Sequence, residues 1–294
     1  SEKKDWNMKK REFICCSNED RRETYPLLAA LGLEGAWERK ENDPFVLALV
    51  GGGGKTTVMA ALAREVSAAG RRVLVETSTH IGMPKTGKVL VYRADGDVLE
   101  LWEGKGDGDG FSVRSLPETA WKRETVQIWD GVGGILTVGT LEEKGGVRKL
   151  IALPEKIRRE LAPAADLILT EADGAKRHPV KIPASHEPVI RSETDGVLGC
   201  IGLSAIGRPA GEVLFRRELL GISPEEPVTE GLAVKILSSE EGTKKYTAGR
   251  LYRAVLNQCD TEERLERARR MGAGLKQRGV HGAALSWGKA VWIF

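Results

Sequence analysis

Residues 50–57 have the sequence VGGGGKTT, and this run of glycines followed by a lysine constrains the fold most strongly. It lies between an apolar run of strand length, residues 45–50, and a helix-like stretch, residues 56–69. A second apolar strand, RVLVET, follows at residues 72–77. A strand, a glycine loop, a helix and a strand within ~35 residues predict a βαβ unit. The glycines then lie where the chain enters the helix, and backbone amides at that position bind anions.

The end of the glycine run matches the phosphate-binding P-loop pattern G-x-x-x-x-G-K-[ST], although its first glycine is replaced by Leu49. Glycine leaves room for backbone amides to approach phosphate oxygens, which a Cβ would obstruct. Lys55 is expected to bind the β- and γ-phosphates, and Thr56 to offer its hydroxyl to Mg²⁺. A flexible loop with an exposed lysine is the alternative, and the flanking strand and helix favour it less. The predicted nucleotide-binding residues here are Gly51, Gly52, Gly53, Gly54, Lys55, Thr56 and Thr57.

A further apolar strand, residues 165–170, leads directly into the sequence EADG. Parallel strands end at one edge of a sheet, so Asp173 is predicted to lie near Thr56 and a metal ion. We therefore predict Thr56 and Asp173 as Mg²⁺ ligands, and Gly174 as an amide that approaches the γ-phosphate. Glu171 has two open roles, support of the metal or base for an attacking water. The predicted catalytic residues are Lys55, Glu171 and Asp173.

The proline-containing loop at 176–193 is basic and follows the predicted metal site. Lys176, Lys181 and His186 are predicted to contact the nucleotide, a second anionic ligand or the charge of a transition state. A solvated basic surface explains the same residues equally well.

Residues 257–260 (NQCD) carry an N-x-x-D pattern at the end of a strand-like segment. Guanine-binding NTPases use N-K-x-D, in which the aspartate accepts hydrogen bonds from the base. Gln258 replaces the lysine here, so both ATP and GTP stay open. Asn257 and Asp260 are predicted nucleotide-binding residues, with Ser286 as a further contact to the base. The alternative role for Asp260 is the N-cap of a following helix.

Alternating strands and helices predict an α/β fold, a three-layer P-loop NTPase sandwich with a mostly parallel sheet. Residues 1–23 are predicted to be a flexible charged segment, and residues 24–294 one nucleotide-binding domain. Residues 82–150 are predicted to form a β-rich, antiparallel excursion from the core sheet. Helical pieces are expected around residues 215–220 and 243–257.

The formal net charge is +3, from 45 basic and 42 acidic residues, so the charge balance does not demand nucleic acid or anionic membrane. No apolar stretch approaches the ~18 residues of a membrane span, and the first residues lack an apolar signal-peptide core. We predict a cytoplasmic protein that binds neither nucleic acid nor membrane. The four cysteines show no metal-binding spacing, which disfavours a zinc site or a disulfide framework.

Five segments together resemble the selenium-dependent hydroxylase accessory proteins, the YqeC-like family. In chain order they are VGGGGKTT, VLVETSTH, TEADGAKRHPVKIPASHEPVI, GCIGLSAIGRP and VLNQCD. The likeness spans roughly residues 27–290, and Gln258 departs from the lysine of many members. It implies a P-loop NTPase related to GTPases and to nitrogenase-iron-protein-like ATPases. The family's motif positions fall on Gly53, Gly54, Lys55, Thr56, Thr57, Glu171, Asp173, Gly174, Lys176, Lys181, His186 and Glu187.

The resemblance also implies a role in the maturation of selenium-dependent molybdenum hydroxylases. The resulting hypothesis is Mg²⁺-dependent binding and hydrolysis of GTP or ATP, coupled to a molybdenum hydroxylase or a molybdopterin-type cofactor. Related NTPases often dimerise across the nucleotide face, so a homodimer is also consistent with the resemblance. Two alternatives stay open: a phosphoryl or nucleotidyl transferase acting on a small molecule, and a scaffold that binds nucleotide or cofactor without turnover.

Overall fold

The computed structural model describes residues 26–38, 40, 43–104, 110–116, 128–129 and 134–294. The charged segment predicted to be flexible, residues 1–23, lies outside the described residues, as does most of the glycine-rich loop at 104–110. No helix in the described ranges has both the length and the apolar character needed to cross a membrane.

Within the described residues, thirteen strands form one sheet and two short strands form a second one. The strands of the large sheet are β1 Phe45–Gly51, β2 Arg72–Thr77, β3 His80–Gly82, β4 Lys88–Arg93, β5 Val98–Gly104, β6 Phe111–Leu116, β7 Gly134–Lys144, β8 Val147–Ile151, β9 Leu167–Glu171, β11 Gly196–Gly202, β13 Leu251–Asn257, β14 Gly282–Ser286 and β15 Lys289–Ile293. The small sheet pairs β10 Val180–Lys181 with β12 Leu214–Phe215. The order across the large sheet is β15-β14-β13-β11-β1-β9-β2-β7-β4-β5-β6.

The described helices flank this sheet. They are α1 Leu27–Ala30, α2 Glu34–Glu38, α3 Lys55–Ala68, α4 Glu155–Leu161, α5 Ala210–Val213, α6 Glu230–Ser238 and α7 Glu262–Lys276. Short 3₁₀ turns lie at Ala162–Ala164, Leu203–Ala205 and Arg217–Leu220.

Helices cover both faces of the sheet, as the alternation of side chains along β1 shows. Leu47 and Leu49 belong to the apolar cluster that includes Leu62 of α3. Val46 points to the other face and belongs to the cluster of Leu161 in α4. All seven residues of β1 are buried, which is expected of a strand with helices on both sides. The predicted three-layer α/β sandwich with a mostly parallel sheet is therefore confirmed.

The parallel pairing brings the carboxyl ends of four strands to one edge of the sheet. β1 pairs with β9 on one side and with β11 on the other, and β11 pairs with β13. In this register Leu49 is paired with Glu171, and Gly51 with Cys200. Because open parallel sheets bind ligands at this edge, the glycine loop and the acidic segment after β9 lie where a site is expected.

Two local predictions were wrong. A helix was expected over residues 243–257, but Leu251–Asn257 is strand β13, since its buried residues Ala254, Val255 and Leu256 fill the space between β11 and β14. Around residues 215–220 the chain forms β12 and a 3₁₀ turn rather than an α-helix. Tertiary packing overrides weak local propensity in both cases.

The strands of the region at 82–150 continue the main sheet. β4 pairs with β7 in parallel, and β5 and β6 extend the sheet beyond β4 in antiparallel pairs.

Candidate functional site

The glycine loop is a three-residue connection, because β1 ends at Gly51 and α3 begins at Lys55. The loop passes very close to neighbouring backbone. A Cβ at Gly53, whose φ is +68°, would lie 2.0 Å from the amide nitrogen of Gly202. A Cβ at Gly52 would lie 2.6 Å from the carbonyl oxygen of His178. The run of glycines is therefore required by close approach to β11 on one side and to residues 178–179 on the other.

The amides of Gly51, at the end of β1, and of the first two loop residues donate hydrogen bonds within the protein. The Gly51 amide lies 3.0 Å from Oδ2 of Asp173, and the Gly52 amide 2.9 Å from the carbonyl of Cys200. The Gly53 amide donates to the carbonyl of His178 at 3.2 Å.

The next three amides, those of Gly54, Lys55 and Thr56, donate to no acceptor among the described residues. They belong to the start of α3, a helix of 14 residues, where free amides and the helix dipole favour an anion. These three amides are the part of the loop that is available to a phosphate group.

Lys55 places a buried ammonium group at the mouth of the loop. Its Nζ lies 2.5 Å from the carbonyl oxygen of Gly51, 3.0 Å from Oδ1 of Asp173 and 3.8 Å from Oε1 of Glu171. Burial alone would lower the pKa of Lys55, but the two carboxylates outweigh it and raise this pKa above its ordinary value. Lys55 is therefore a buried ammonium group held between two acidic groups.

Asp173 is held by a second buried cation, Lys181. Lys181 is fully buried, and its Nζ lies 3.1 Å from Oδ2 of Asp173 and 2.7 Å from Oε2 of Glu187. It also donates to the carbonyl of Gly174 at 2.6 Å, and Arg216 forms an ion pair with Glu187. Lys181, predicted to contact the nucleotide, lies in an internal ion network that fixes Asp173 against the loop.

Thr56 and Glu171 form the more accessible half of the site. Oγ1 of the exposed Thr56 lies 3.5 Å from Oε2 of Glu171, whose side chain is 12% exposed. Burial raises the pKa of Glu171, and Lys55 offsets this only in part. Glu171 is the carboxylate that contacts Thr56. The carboxylate oxygens of Asp173 instead accept from the Gly51 amide and form ion pairs with Lys55 and Lys181.

A hydroxyl and a carboxylate oxygen are ligands that Mg²⁺ prefers. No cluster of three or more His, Cys, Asp or Glu side chains suited to a metal occurs in the described ranges. A magnesium ion beside Thr56 and Glu171 would therefore draw its remaining ligands from phosphate and water, as is usual for this ion.

The predicted basic residues of the loop after Gly174 do not converge on one point. Lys176 is exposed in a left-handed conformation, with its ammonium 5.2 Å from the centre of the Phe215 ring. His178 stacks on the same ring at 5.5 Å. His186 is exposed, while Lys181 is buried. Of these residues, His178 lies next to the glycine loop, because its carbonyl accepts from the Gly53 amide.

Asn257 and Asp260 lie beyond the loop on the side of β13. Nδ2 of Asn257 donates to the carbonyl of Gly53 at 2.9 Å, so this side chain anchors the loop to the end of β13. Oδ1 of Asp260 accepts from Oγ of Ser286 at 3.0 Å. The alternative role of Asp260 as the helix cap is wrong, because Thr261 caps α7 and accepts from the Arg264 amide.

Sequence reasoning missed the carbonyl groups of Cys200 and His178, which occupy the loop amides. A backbone carbonyl carries no residue-type signal, so no pattern in the sequence could have identified them. It also missed the pairing of Lys181 with Glu187, although both residues belong to the segment that carries the family resemblance.

Comparison with known proteins supports the resemblance. The family model described as "YqeC protein" matches residues 47–218, which include the glycine loop, Glu171, Asp173 and Lys181. A protein of Escherichia coli (strain K12) named "Uncharacterized protein YqeC" is 27% identical over 207 residues, covering 69% of this chain and 71% of that protein. The chain belongs to the YqeC family.

Proposed function

We propose that this protein binds a Mg²⁺-nucleoside triphosphate, GTP or ATP, at the glycine loop and hydrolyses it. The observation that carries the proposal is the position of Lys55. Its ammonium lies at the start of α3, within 3.8 Å of two carboxylates at the end of the adjacent strand. Beside it are three backbone amides that donate to no acceptor in the part of the chain that the structure describes. A buried cation, helix amides and an acidic pair at one sheet edge are groups that phosphoryl chemistry uses.

Each group has a distinct part in this proposal. Lys55 moves its ammonium from Asp173 to phosphate oxygens, and the amides of Gly54, Lys55 and Thr56 hold the same oxygens. Asp173 positions Lys55 and the Gly51 amide, and Lys181 holds the Asp173 side chain in place. If the phosphates extend to Gly53, the hydrogen bond from Gly53 to the His178 carbonyl has to break, so the segment after Gly174 responds to the ligand.

Thr56 and Glu171 are the residues that would hold Mg²⁺ in this scheme. Such an ion neutralises negative charge on the phosphates when it is bound. The assignment differs from the sequence prediction of Thr56 with Asp173, because the structure commits both oxygens of Asp173 to other groups.

The biological role that we propose is maturation of a selenium-dependent molybdenum hydroxylase. Its support is the resemblance of the segments around Gly54, Asp173, Lys181 and Asp260 to the accessory proteins of these enzymes. In this role nucleotide turnover would control the delivery of selenium or of a molybdopterin-type cofactor.

The proposal is tested by thermal-shift titration with ATP, GTP, CTP and UTP, with and without Mg²⁺, followed by phosphate-release assays. A ligand that binds the folded state raises its stability by RT ln(1 + [L]/Kd). We expect a Mg²⁺-dependent shift and slow release of phosphate. Glu171→Gln should reduce the release, whereas Glu218→Gln, at an exposed glutamate of the 3₁₀ turn, should not.

Three results would argue against nucleotide hydrolysis as the function. Absence of any shift with all four nucleotides contradicts it. A modified acceptor without free phosphate indicates the transferase alternative. Binding with no turnover in the presence of a client hydroxylase indicates the scaffold alternative.

A further inference from the structure

Trp287 has the largest exposed fraction, 81%, among the exposed large apolar side chains of the described residues. It lies in the turn between β14 and β15, with a left-handed φ of +50°. An indole is normally buried at least in part, and a non-glycine residue in this backbone region is uncommon. The left-handed φ follows from the two-residue hairpin turn, in which Ser286 pairs with Lys289 and both Trp287 and Gly288 have a positive φ. Core packing does not explain the exposed indole.

The turn that carries Trp287 is fixed on both sides by elements of the candidate site. On one side the next residue, Gly288, packs on α3: a Cβ there would lie 3.2 Å from Cβ of Ala61 and 3.5 Å from Cγ2 of Thr57. On the other side the preceding residue, Ser286, donates to Asp260 at 3.0 Å. The turn is therefore held between the first two turns of α3 and the carboxylate of Asp260, with the Trp287 side chain exposed beside them.

We infer that Trp287 stacks on the base of the bound nucleotide. The inference rests on the proposed function, since it requires phosphates at the amides of Gly54, Lys55 and Thr56. The turn of Trp287 contacts α3 at Thr57 and is joined to Asp260 through Ser286. If the nucleotide runs from these amides past Thr57, its base reaches Asp260 and Trp287. Asp260 would contact the edge of the base, and the indole would cover one of its faces.

Stacking of this kind selects purines over pyrimidines but does not distinguish one purine from another. The overlap between an indole and a base grows with the size of the base, and every base offers a π face. The site is therefore expected to bind purine nucleotides more tightly than pyrimidine nucleotides, with Asp260 left to distinguish guanine from adenine.

The test compares dissociation constants for GTP, ATP, CTP and inorganic tripolyphosphate, each with Mg²⁺, in four proteins. These are the wild type, Trp287→Ala, Trp287→Phe and the control Ile293→Ala, which changes an exposed apolar residue at the far end of the same hairpin. Trp287→Ala should weaken purine nucleotides about 5- to 150-fold, the range that corresponds to loss of one stacked base. Tripolyphosphate should bind all four proteins alike, and Trp287→Phe should keep most of the purine affinity.

The possible failures are separable. If Trp287→Ala bound GTP and ATP as tightly as the wild type does, the inference would be overturned and the proposed function would stay in place. An equal loss for tripolyphosphate would also overturn it, because the substitution would then act on the loop rather than on the base. If the wild type bound neither tripolyphosphate nor any nucleotide, the proposed function itself would fail.

Discussion

The ammonium of Lys55 lies 3.0 Å from Oδ1 of Asp173, and this ion pair joins the first turn of α3 to the end of β9. Both side chains are almost completely buried, so the pair is shielded from water. Asp173 is also bound by Lys181, which remains as a partner when Lys55 leaves. The arrangement allows the Lys55 ammonium to transfer to a phosphate without leaving an unpaired carboxylate in the interior.

Replacement of Lys55 by alanine should weaken nucleotide binding by one to two orders of magnitude. A charge-assisted hydrogen bond contributes roughly 1.5–3 kcal/mol, and about 1.4 kcal/mol corresponds to a factor of ten in affinity. Isothermal titration with Mg²⁺-GTP and Mg²⁺-ATP measures the change. Lys276→Ala, at an exposed lysine in the last turn of α7, is the matched control and should bind as the wild type does. If Lys55→Ala and Lys276→Ala bound nucleotide with similar affinity, Lys55 would not be a nucleotide ligand.

Lys181 is predicted to be a stability determinant rather than a ligand. Lys181→Met removes the shared partner of Asp173 and Glu187 and leaves two buried carboxylates close together. Loss of one partner from a buried ion network costs about 3–5 kcal/mol. Urea denaturation should show a loss of this size. Lys176→Met, at the exposed lysine five residues earlier, should change the free energy of unfolding by about 0.5 kcal/mol or less.

If Lys181→Met unfolded at the same urea concentration as the wild type, the ion network would not contribute to stability. Lys181 would then be available to a ligand, as the sequence alone predicted.

Stability should fall in acid partly through Glu187. Burial acts to raise the pKa of Glu187, but hydrogen bonds from Lys181 and Arg216 outweigh it and hold this pKa below its ordinary value of 4.5. A carboxylate whose pKa is lowered on folding stabilises the protein above the unfolded pKa, and this contribution is lost as the pH falls through the folded value.

Glu187→Gln should therefore be less stable than the wild type at pH 7, and the difference should shrink below about pH 4.5. Urea midpoints across this pH range measure it. Other carboxylates contribute to acid unfolding of both proteins, so the informative quantity is the difference between the two. Glu218→Gln, at an exposed site, is the control and should unfold close to the wild type at pH 7. A gap between wild type and Glu187→Gln that did not change with pH would contradict the ion network.

Alanine substitutions at Gly53 and Gly145 distinguish the cost of close packing from the cost of a positive φ. Both have a positive φ, +68° and +58°, so alanine is strained at either position. A Cβ at Gly53 would collide with Gly202, whereas a Cβ at Gly145 meets nothing within 4 Å. Gly53→Ala should therefore lower the free energy of unfolding by about 1–3 kcal/mol more than Gly145→Ala. Thermal or urea unfolding of the two variants decides this, and equal losses would show that the loop has room to move.

The core of the fold follows from sequence patterns that have a local physical cause. The apolar run at Phe45–Gly51, the glycines and the helix after Lys55 predict the βαβ unit, because each element is set by its own residues. β9 and the acidic segment after it were predicted for the same reason. The basic loop that follows suggested Lys176, Lys181 and His186 by its charge, and the family resemblance led to the same fold and the same residues.

The errors and omissions arise where long-range contacts decide the outcome. Leu251–Asn257 becomes a strand because β11 and β14 provide partners on both sides. Lys181 is buried because Asp173 and Glu187 neutralise it, and a lysine in a basic loop gives no local indication of this. Trp287 likewise acquires its position from the packing of Gly288 on α3.

The most direct test of the central claim is a crystal structure of the protein with Mg²⁺ and a non-hydrolysable nucleoside triphosphate. We predict phosphate oxygens within hydrogen-bond distance of the amides of Gly54, Lys55 and Thr56, with Nζ of Lys55 moved from Asp173 to the phosphates. A nucleotide bound elsewhere, with Lys55 still paired to Asp173, would contradict the account.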